Sequence, residues 1–220
     1  MKEILNSIYR IAPYLAFLPV ILGLFRWKYL DTSLRIFMVI ITISGGLGLL
    51  SVHTKDTNFL YYINALVSVS LYGLFFEVLL KNIVARKVIW GAVALMWVII
   101  GGFIFKNGIH LFQTQVFIPF DLMMIAGCGY YLVHYLKTVI KAKDATFFLI
   151  LTLFVNFCFV FFIDLVSTFL YLYFSNNFFN ILWGVAIPLV NLLKISAFCL
   201  VFLLARYQPK WLDKIPDLDH

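Results

Sequence analysis

The chain has 220 residues, of which 64% are hydrophobic and 12% are charged, and its net charge is +7. A soluble domain of this length needs a larger polar shell, since about a quarter of the residues in soluble proteins are charged. The composition therefore excludes an ordinary soluble fold and predicts a protein that lies in a bilayer. The basic residues sit in short clusters between long apolar runs, which is typical of loops beside anionic lipid and excludes a nucleic-acid partner.

Seven apolar segments are long enough to cross a membrane, which takes about 20 mainly apolar residues for a helix. None has the polar alternation of a β-barrel strand, and backbone groups in lipid must be satisfied internally, so these segments are predicted to be helices. The predicted fold is all-α: a single domain over residues 1–220 that forms a seven-helix transmembrane bundle. In chain order the predicted spans are roughly 9–29, 34–54, 58–80, 87–105, 113–136, 146–173 and 179–205.

The direction of these segments follows from their flanking Lys and Arg residues, which accumulate in cytoplasmic loops. Twelve basic residues fall on one predicted side and four on the other. The first group is Arg26, Lys28, Arg35, Lys81, Arg86, Lys87, Lys137, Lys141, Lys143, Arg206, Lys210 and Lys214; the second is Lys2, Arg10, Lys55 and Lys106. We therefore expect the N-terminus outside, the C-terminus in the cytoplasm, and location in the inner (plasma) membrane.

Charged side chains inside a membrane cost about 2.5–3.5 kcal/mol at a helix centre on insertion scales, so each one suggests a functional site. Three fall near mid-membrane: Asp121 in the fifth segment, Asp164 in the sixth and Lys194 in the seventh. Because side chains tilt toward the N-terminus of a helix, Lys194 should reach toward the level of the aspartates. The sequence thus suggests an Asp–Lys–Asp cluster. Glu77 lies near a membrane boundary and is expected to pair with Lys81, four residues later.

Four further polar residues recur at helical spacing in the apolar segments and extend this predicted cluster. They are Asn64 and Ser68 in the third segment, Asn156 in the sixth and Asn191 in the seventh. Such stripes either line a ligand-binding cavity in the outer half of the bundle or form hydrogen bonds that join helices, worth about 0.6–2 kcal/mol per contact. Both interpretations remain open at this point. No catalytic residue and no metal site is predicted, because the histidines are scattered and no nucleophile–base pair is evident.

Two other classes of seven-helix protein compete with a binding module. Microbial rhodopsins carry retinal on a seventh-helix lysine, but they place an Asp one turn before it, where this chain has Val190. No cofactor is therefore predicted, and retinal on Lys194 is the weaker alternative. A small-molecule transporter built from two three-helix repeats around a linker helix is the main alternative, although the two halves of this chain show little internal similarity.

The segment Pro19–Arg26, the run Asn58-Phe-Leu-Tyr-Tyr-Ile and Leu182-Trp183 followed by Asn191 together resemble a group of uncharacterised bacterial seven-helix membrane proteins. This resemblance implies a receptor-like or accessory membrane module that acts beside a separate signalling kinase or another membrane protein. The short loops, and a tail after Arg206 with two prolines, also predict that any output passes through another chain. The expected function is therefore non-enzymatic sensing of a small ligand or partner.

Overall fold

The computed structural model describes residues 14–54, 57–80, 82–108, 117–138, 145–173 and 187–205. These residues form seven α-helices and one short 3-10 helix (Trp27–Tyr29), with no β-strand among them, which confirms the all-helical prediction. The helices are α1 (Phe17–Phe25), α2 (Thr32–His53), α3 (Asn58–Leu80), α4 (Ile83–Asn107), α5 (Phe117–Thr138), α6 (Ala145–Tyr173) and α7 (Ile187–Leu204).

Five of these helices are long and apolar enough to cross a bilayer, as a multi-pass membrane protein requires. Their apolar stretches are Thr32–Ser51, Asn58–Leu80, Ile83–Lys106, Phe117–Tyr135 and Ala145–Val166. The helices α1 and α7 are described over shorter lengths. Parts of three predicted spans lie outside the described residues, namely 9–13, 113–116 and 179–186. The motif Leu182-Trp183, which contributes to the resemblance, lies outside them as well.

Capping side chains set several helix boundaries that hydropathy alone placed wrongly. Asp31 accepts a hydrogen bond from the backbone N–H of Leu34, so α2 begins at Thr32 rather than near residue 34. Asn82 caps α4 in the same way, and that helix begins four residues before the predicted boundary. The first segment was predicted to continue to residue 29, but α1 ends at Phe25 and the chain turns through the 3-10 helix. A cap satisfies free backbone N–H groups and fixes a helix start regardless of hydrophobicity.

The helices pack mainly against their neighbours in sequence. The helices α2, α3 and α4 pack in that order, α5 packs on α6, and α6 packs on α7; α1 closes the bundle by packing on both α2 and α7. In α4 the buried apolar side chains are Val93, Met96 and Ile100, and most of its other side chains face outward. The helix α4 is therefore at the periphery of the bundle.

Aromatic rings form the centre of the bundle and join five helices. The ring of Tyr72 in α3 lies 5.9 Å from that of Phe120 in α5 and 6.0 Å from that of Phe157 in α6. Phe37 in α2 lies 4.8 Å from Phe198 in α7, in an edge-to-face arrangement. Such pairs add about 0.5–1.5 kcal/mol each beyond the area that they bury. This aromatic centre fixes the positions of the residues next to it in sequence, including Asp121.

Apolar side chains also cover the outside of the molecule. Phe25, Phe105 and Val98 are 81%, 94% and 71% exposed, and many other large apolar residues share this outward position. In water so much contiguous apolar surface would drive aggregation. This apolar surface is compatible with contact with the hydrocarbon chains of lipids.

Candidate functional site

Asp121 is the most buried charged residue that the structure describes. It lies in the first turns of α5, directly after Phe120 of the aromatic centre, and only 2% of its surface is exposed. Its Oδ2 atom has no hydrogen-bond partner among the described residues. A buried oxygen without a donor loses its hydration and gains no hydrogen bond in exchange. This carboxyl group can therefore accept a hydrogen bond from a ligand that binds beside it.

Asp164 lies beside Asp121, on the neighbouring helix α6. It is 7% exposed and shares the inward face of α6 with Leu153 and Phe157. The two carboxyl groups are close enough that a negative charge on one disfavours a negative charge on the other. Whether these two residues share one ligand site stays a prediction from the sequence. Two carboxyl groups in a low-dielectric interior strongly favour binding of a positive charge.

Lys194 does not supply that charge by pairing with either aspartate. It lies half-buried on α7, on the same face as Ile195 and Phe198. Within the described helices no hydrogen bond or ion pair joins its ammonium group to Asp121 or Asp164. For Asp121 the reason lies in the helix order, because α7 packs on α6 and α1 and makes no extensive contact with α5. The cluster suggested by the sequence thus consists of two neighbouring aspartates and a lysine that is not bonded to them.

Asn156 and Asn191 add amide groups on the helices that carry these charges. The Oδ1 atom of Asn156 is buried and has no hydrogen-bond partner in the described part of the chain. It precedes Phe157, whose ring lies 5.7 Å from that of Phe120. Asn191 is half-buried, one turn before Lys194 on α7. Asn156 is therefore a second polar group near the aromatic centre whose bonding capacity is unused.

Asn64 and Ser68 of α3 interact with each other. The Ser68 hydroxyl donates to Oδ1 of Asn64 over 3.4 Å, and Ser68 is buried. Ser68 lies one turn before Tyr72, the ring that contacts Phe120 and Phe157. Asn64 and Ser68 therefore lie on the face of α3 that carries Tyr72 of the aromatic centre, and they form a hydrogen bond with each other.

Glu77 has two partners that the sequence did not predict. Its Oε1 atom lies 2.8 Å from Nη2 of Arg86, and Trp90 donates its indole N–H to Oε2 over 2.7 Å. Lys81 lies outside the described residues. Trp97 makes a further link by donating to the hydroxyl of Ser70 over 3.1 Å. These bonds join α3 to α4 and give Glu77 a structural role at the end of the helix pair.

A polar link at the start of α2 was not foreseen from the sequence. The Oδ1 atom of Asp31 accepts bonds from Ser33 and the Leu34 N–H, and its Oδ2 accepts one from Thr146 in the first turn of α6. Asp31 looks like an ordinary loop residue in the sequence. The spacing Asp-x-Ser-Leu before an apolar run was a usable signal for its capping role, whereas its contact with α6 depends on the fold.

The described residues hold no group of three or more His, Cys, Asp or Glu side chains that could bind a metal ion. In the interior near the aromatic centre, Oδ2 of Asp121 and Oδ1 of Asn156 are buried acceptors without a hydrogen-bond partner among the described residues. Neither a family model, nor a curated protein, nor a solved structure matches this chain. Function has to be inferred from the arrangement of these residues.

Proposed function

We propose that this protein is a receptor-like or accessory membrane module whose ligand is a small molecule with a cationic group. The observation that supports this proposal is the buried Oδ2 of Asp121, which has no hydrogen-bond partner in the described part of the chain and lies near the carboxyl group of Asp164. An ammonium or guanidinium group would offset the repulsion between the carboxyl groups and donate to the open oxygen. Asn156 would supply a further acceptor on the same ligand.

The proposed topology has seven spans, with the N-terminus outside and the C-terminus in the cytoplasm. Each described helix overlaps one of the seven apolar segments, and α3 and α4 lie side by side where Gly73 meets Val93. The bonds of Asp31 and Ser33 to Thr146 put the starts of α2 and α6 at one end of the bundle. The excess of basic residues assigns that end to the cytoplasm.

The short loops predicted from the sequence support output through a separate chain. Among the described residues, α3 ends at Leu80 and α4 begins at Ile83. A signalling kinase or another membrane protein is the proposed recipient. A transporter would use the same aspartates to bind its substrate and would differ by releasing it on the other side.

Thermal unfolding of the full-length protein in detergent tests the ligand site. We expect at least one compound from a panel of amines, guanidines and quaternary ammonium ions to raise the Tm, since a ligand at 100 times its Kd stabilises by about 2.7 kcal/mol. Neutral and anionic analogues of matched size should leave the Tm unchanged. The shift should disappear in both Asp121→Asn and Asp164→Asn.

The matched control is Glu77→Gln, which makes the same chemical change at a carboxylate bonded to Arg86 and Trp90 and should retain the ligand shift. A cationic shift that persists in both aspartate variants would contradict the proposed site, as would a panel without any cationic hit. Uptake of the hit into proteoliposomes would identify a transporter. Binding without uptake supports the receptor.

A further inference from the structure

Two arginines flank the turn between α1 and α2 and offer guanidinium groups with unused donors. Arg26 caps the C-terminus of α1, and Arg35 lies in the first turns of α2. The guanidinium of Arg35 stacks on the Trp27 ring at 5.0 Å from its centroid and donates from Nη2 to the Trp27 carbonyl over 3.4 Å. The side chain of Arg35 thus folds back over the residue that follows Arg26.

Both guanidinium groups contain a shielded N–H without an acceptor. Nη1 of Arg26 and Nε of Arg35 are buried and have no hydrogen-bond partner in the described part of the protein. The nearest carboxylate in sequence is that of Asp31, which already accepts from Ser33, Leu34 and Thr146. Among the described residues neither arginine has an ion-pair partner. The turn between α1 and α2 therefore carries two arginines, each with a buried donor that lacks an acceptor among the described residues.

Exposed aromatic residues define the depth of this turn. Trp27 and Tyr29 are 41% and 53% exposed, and they lie between the end of the apolar helix α1 and the start of α2. Exposed Trp and Tyr residues at helix ends typically sit at the level of the lipid headgroups. Lipid phosphates are abundant at that level, and planar guanidinium groups bind phosphate oxygens in a two-pronged geometry.

We propose that Arg26 and Arg35, with Trp27 as the stacking platform, form a binding site for the phosphate group of an anionic phospholipid. The lipid phosphate would accept hydrogen bonds from both guanidinium groups, and the Trp27 ring would hold Arg35 in place. The site lies at the turn between α1 and α2 and does not involve Asp121 or Asp164. Its occupancy is therefore independent of the cationic ligand site proposed above.

Native mass spectrometry of the full-length protein, titrated with phosphatidylglycerol or phosphatidylcholine, tests this site. We expect Arg26→Gln and Arg35→Gln each to weaken phosphatidylglycerol binding about fivefold, since one basic residue near an anionic surface is worth about 1 kcal/mol. Arg35→Lys keeps the charge but loses the planar fork, and it should also bind more weakly. Phosphatidylcholine, which has no net charge, should bind the wild-type protein less tightly than phosphatidylglycerol.

The control variant is Arg86→Gln, which removes the same charge from an arginine that already pairs with Glu77. It should bind phosphatidylglycerol as the wild-type protein does. An equal loss in this control would show that only net charge matters and would overturn the proposal, as would unchanged binding in both arginine variants. Displacement of the lipid by millimolar inorganic phosphate would assign the site to a soluble anion instead. If Arg35→Gln fails to fold, the test is made on Arg35→Lys, whose phosphatidylglycerol binding is compared with that of the wild-type protein.

Discussion

Asp121 and Glu77 are both carboxylate residues in apolar helices, yet their surroundings differ in kind. The carboxylate of Glu77 receives a bond from Trp90 and an ion pair from Arg86, whereas Oδ2 of Asp121 has neither kind of partner among the described residues. Retaining an unpaired buried carboxyl group costs stability. Residues kept at such a cost tend to serve function, since stability and activity are often in conflict at binding sites.

Asp121→Asn should stabilise the protein when no ligand is present. The amide is nearly the same size, cannot ionise in the buried site, and brings its own donor. We expect the free energy of unfolding to rise by about 1 kcal/mol, the usual net value of one hydrogen bond or one removed unsatisfied group. The measurement is thermal unfolding in detergent, followed by the ellipticity of the helices.

Glu77→Gln is the comparison variant and should change the stability in the opposite direction. It removes the ion pair with Arg86 and should therefore lower the Tm. A lower Tm for Asp121→Asn would mean that the aspartate is well satisfied in the folded protein, contrary to the structure.

At this scale the sequence singled out Asp121 and Asp164 because a charge within an apolar run is conspicuous, and both are buried in the structure. It could not show that Lys194 lacks a bond to either aspartate. That outcome depends on which helices lie side by side, and α6 separates the helix of Asp121 from the helix of Lys194. Depth along a helix can be counted from the sequence, but lateral position in the bundle cannot.

Helix pairs in this protein approach closely where glycine replaces a side chain. A Cβ atom added to Gly73 in α3 would lie 2.6 Å from Cγ2 of Val93 in α4. The same addition at Gly102, on the exposed face of α4, would meet no atom within 4 Å. Glycines with the same appearance in the sequence therefore have different roles in packing.

Gly73→Ala should destabilise the protein by about 1–3 kcal/mol, because the β-branched Val93 has little rotamer freedom with which to make room. Gly102→Ala should change the free energy of unfolding by less than about 1 kcal/mol, within the range of helix propensity alone. Chemical unfolding of the two variants side by side measures the difference. Equal stability of both would contradict the close approach of α3 and α4.

The sequence predicted the existence and order of the helices well, and it predicted the bounds of α3 as the structure has them. It placed the starts of α2 and α4 too late because hydropathy windows detect apolar residues, while Asp31 and Asn82 begin helices through hydrogen bonds to backbone N–H groups. The 3-10 turn at Trp27–Tyr29 was likewise assigned to the first span. Caps and turns depend on single residues, and averaging the hydropathy over about 20 residues hides their signal.

For the molecule as a whole, the direction of insertion remains a prediction from its charges. A green fluorescent protein fused to the C-terminus should fluoresce in bacterial cells, and alkaline phosphatase fused at the same position should be inactive, because both report a cytoplasmic location. The twelve-to-four distribution of basic residues is the physical reason. Active phosphatase without fluorescence would reverse the topology and move the Arg26–Arg35 turn to the other leaflet.

The bonds between α3 and α4 have a consequence for how the protein is made. Glu77 with Arg86 and Trp90, and Ser70 with Trp97, join partners separated by at most 27 positions. Contacts between residues close in sequence form early, before more distant parts of the chain exist. This hairpin has all its cross-links once synthesis passes Trp97, so it can leave the translocon as a preassembled pair on which the later helices dock.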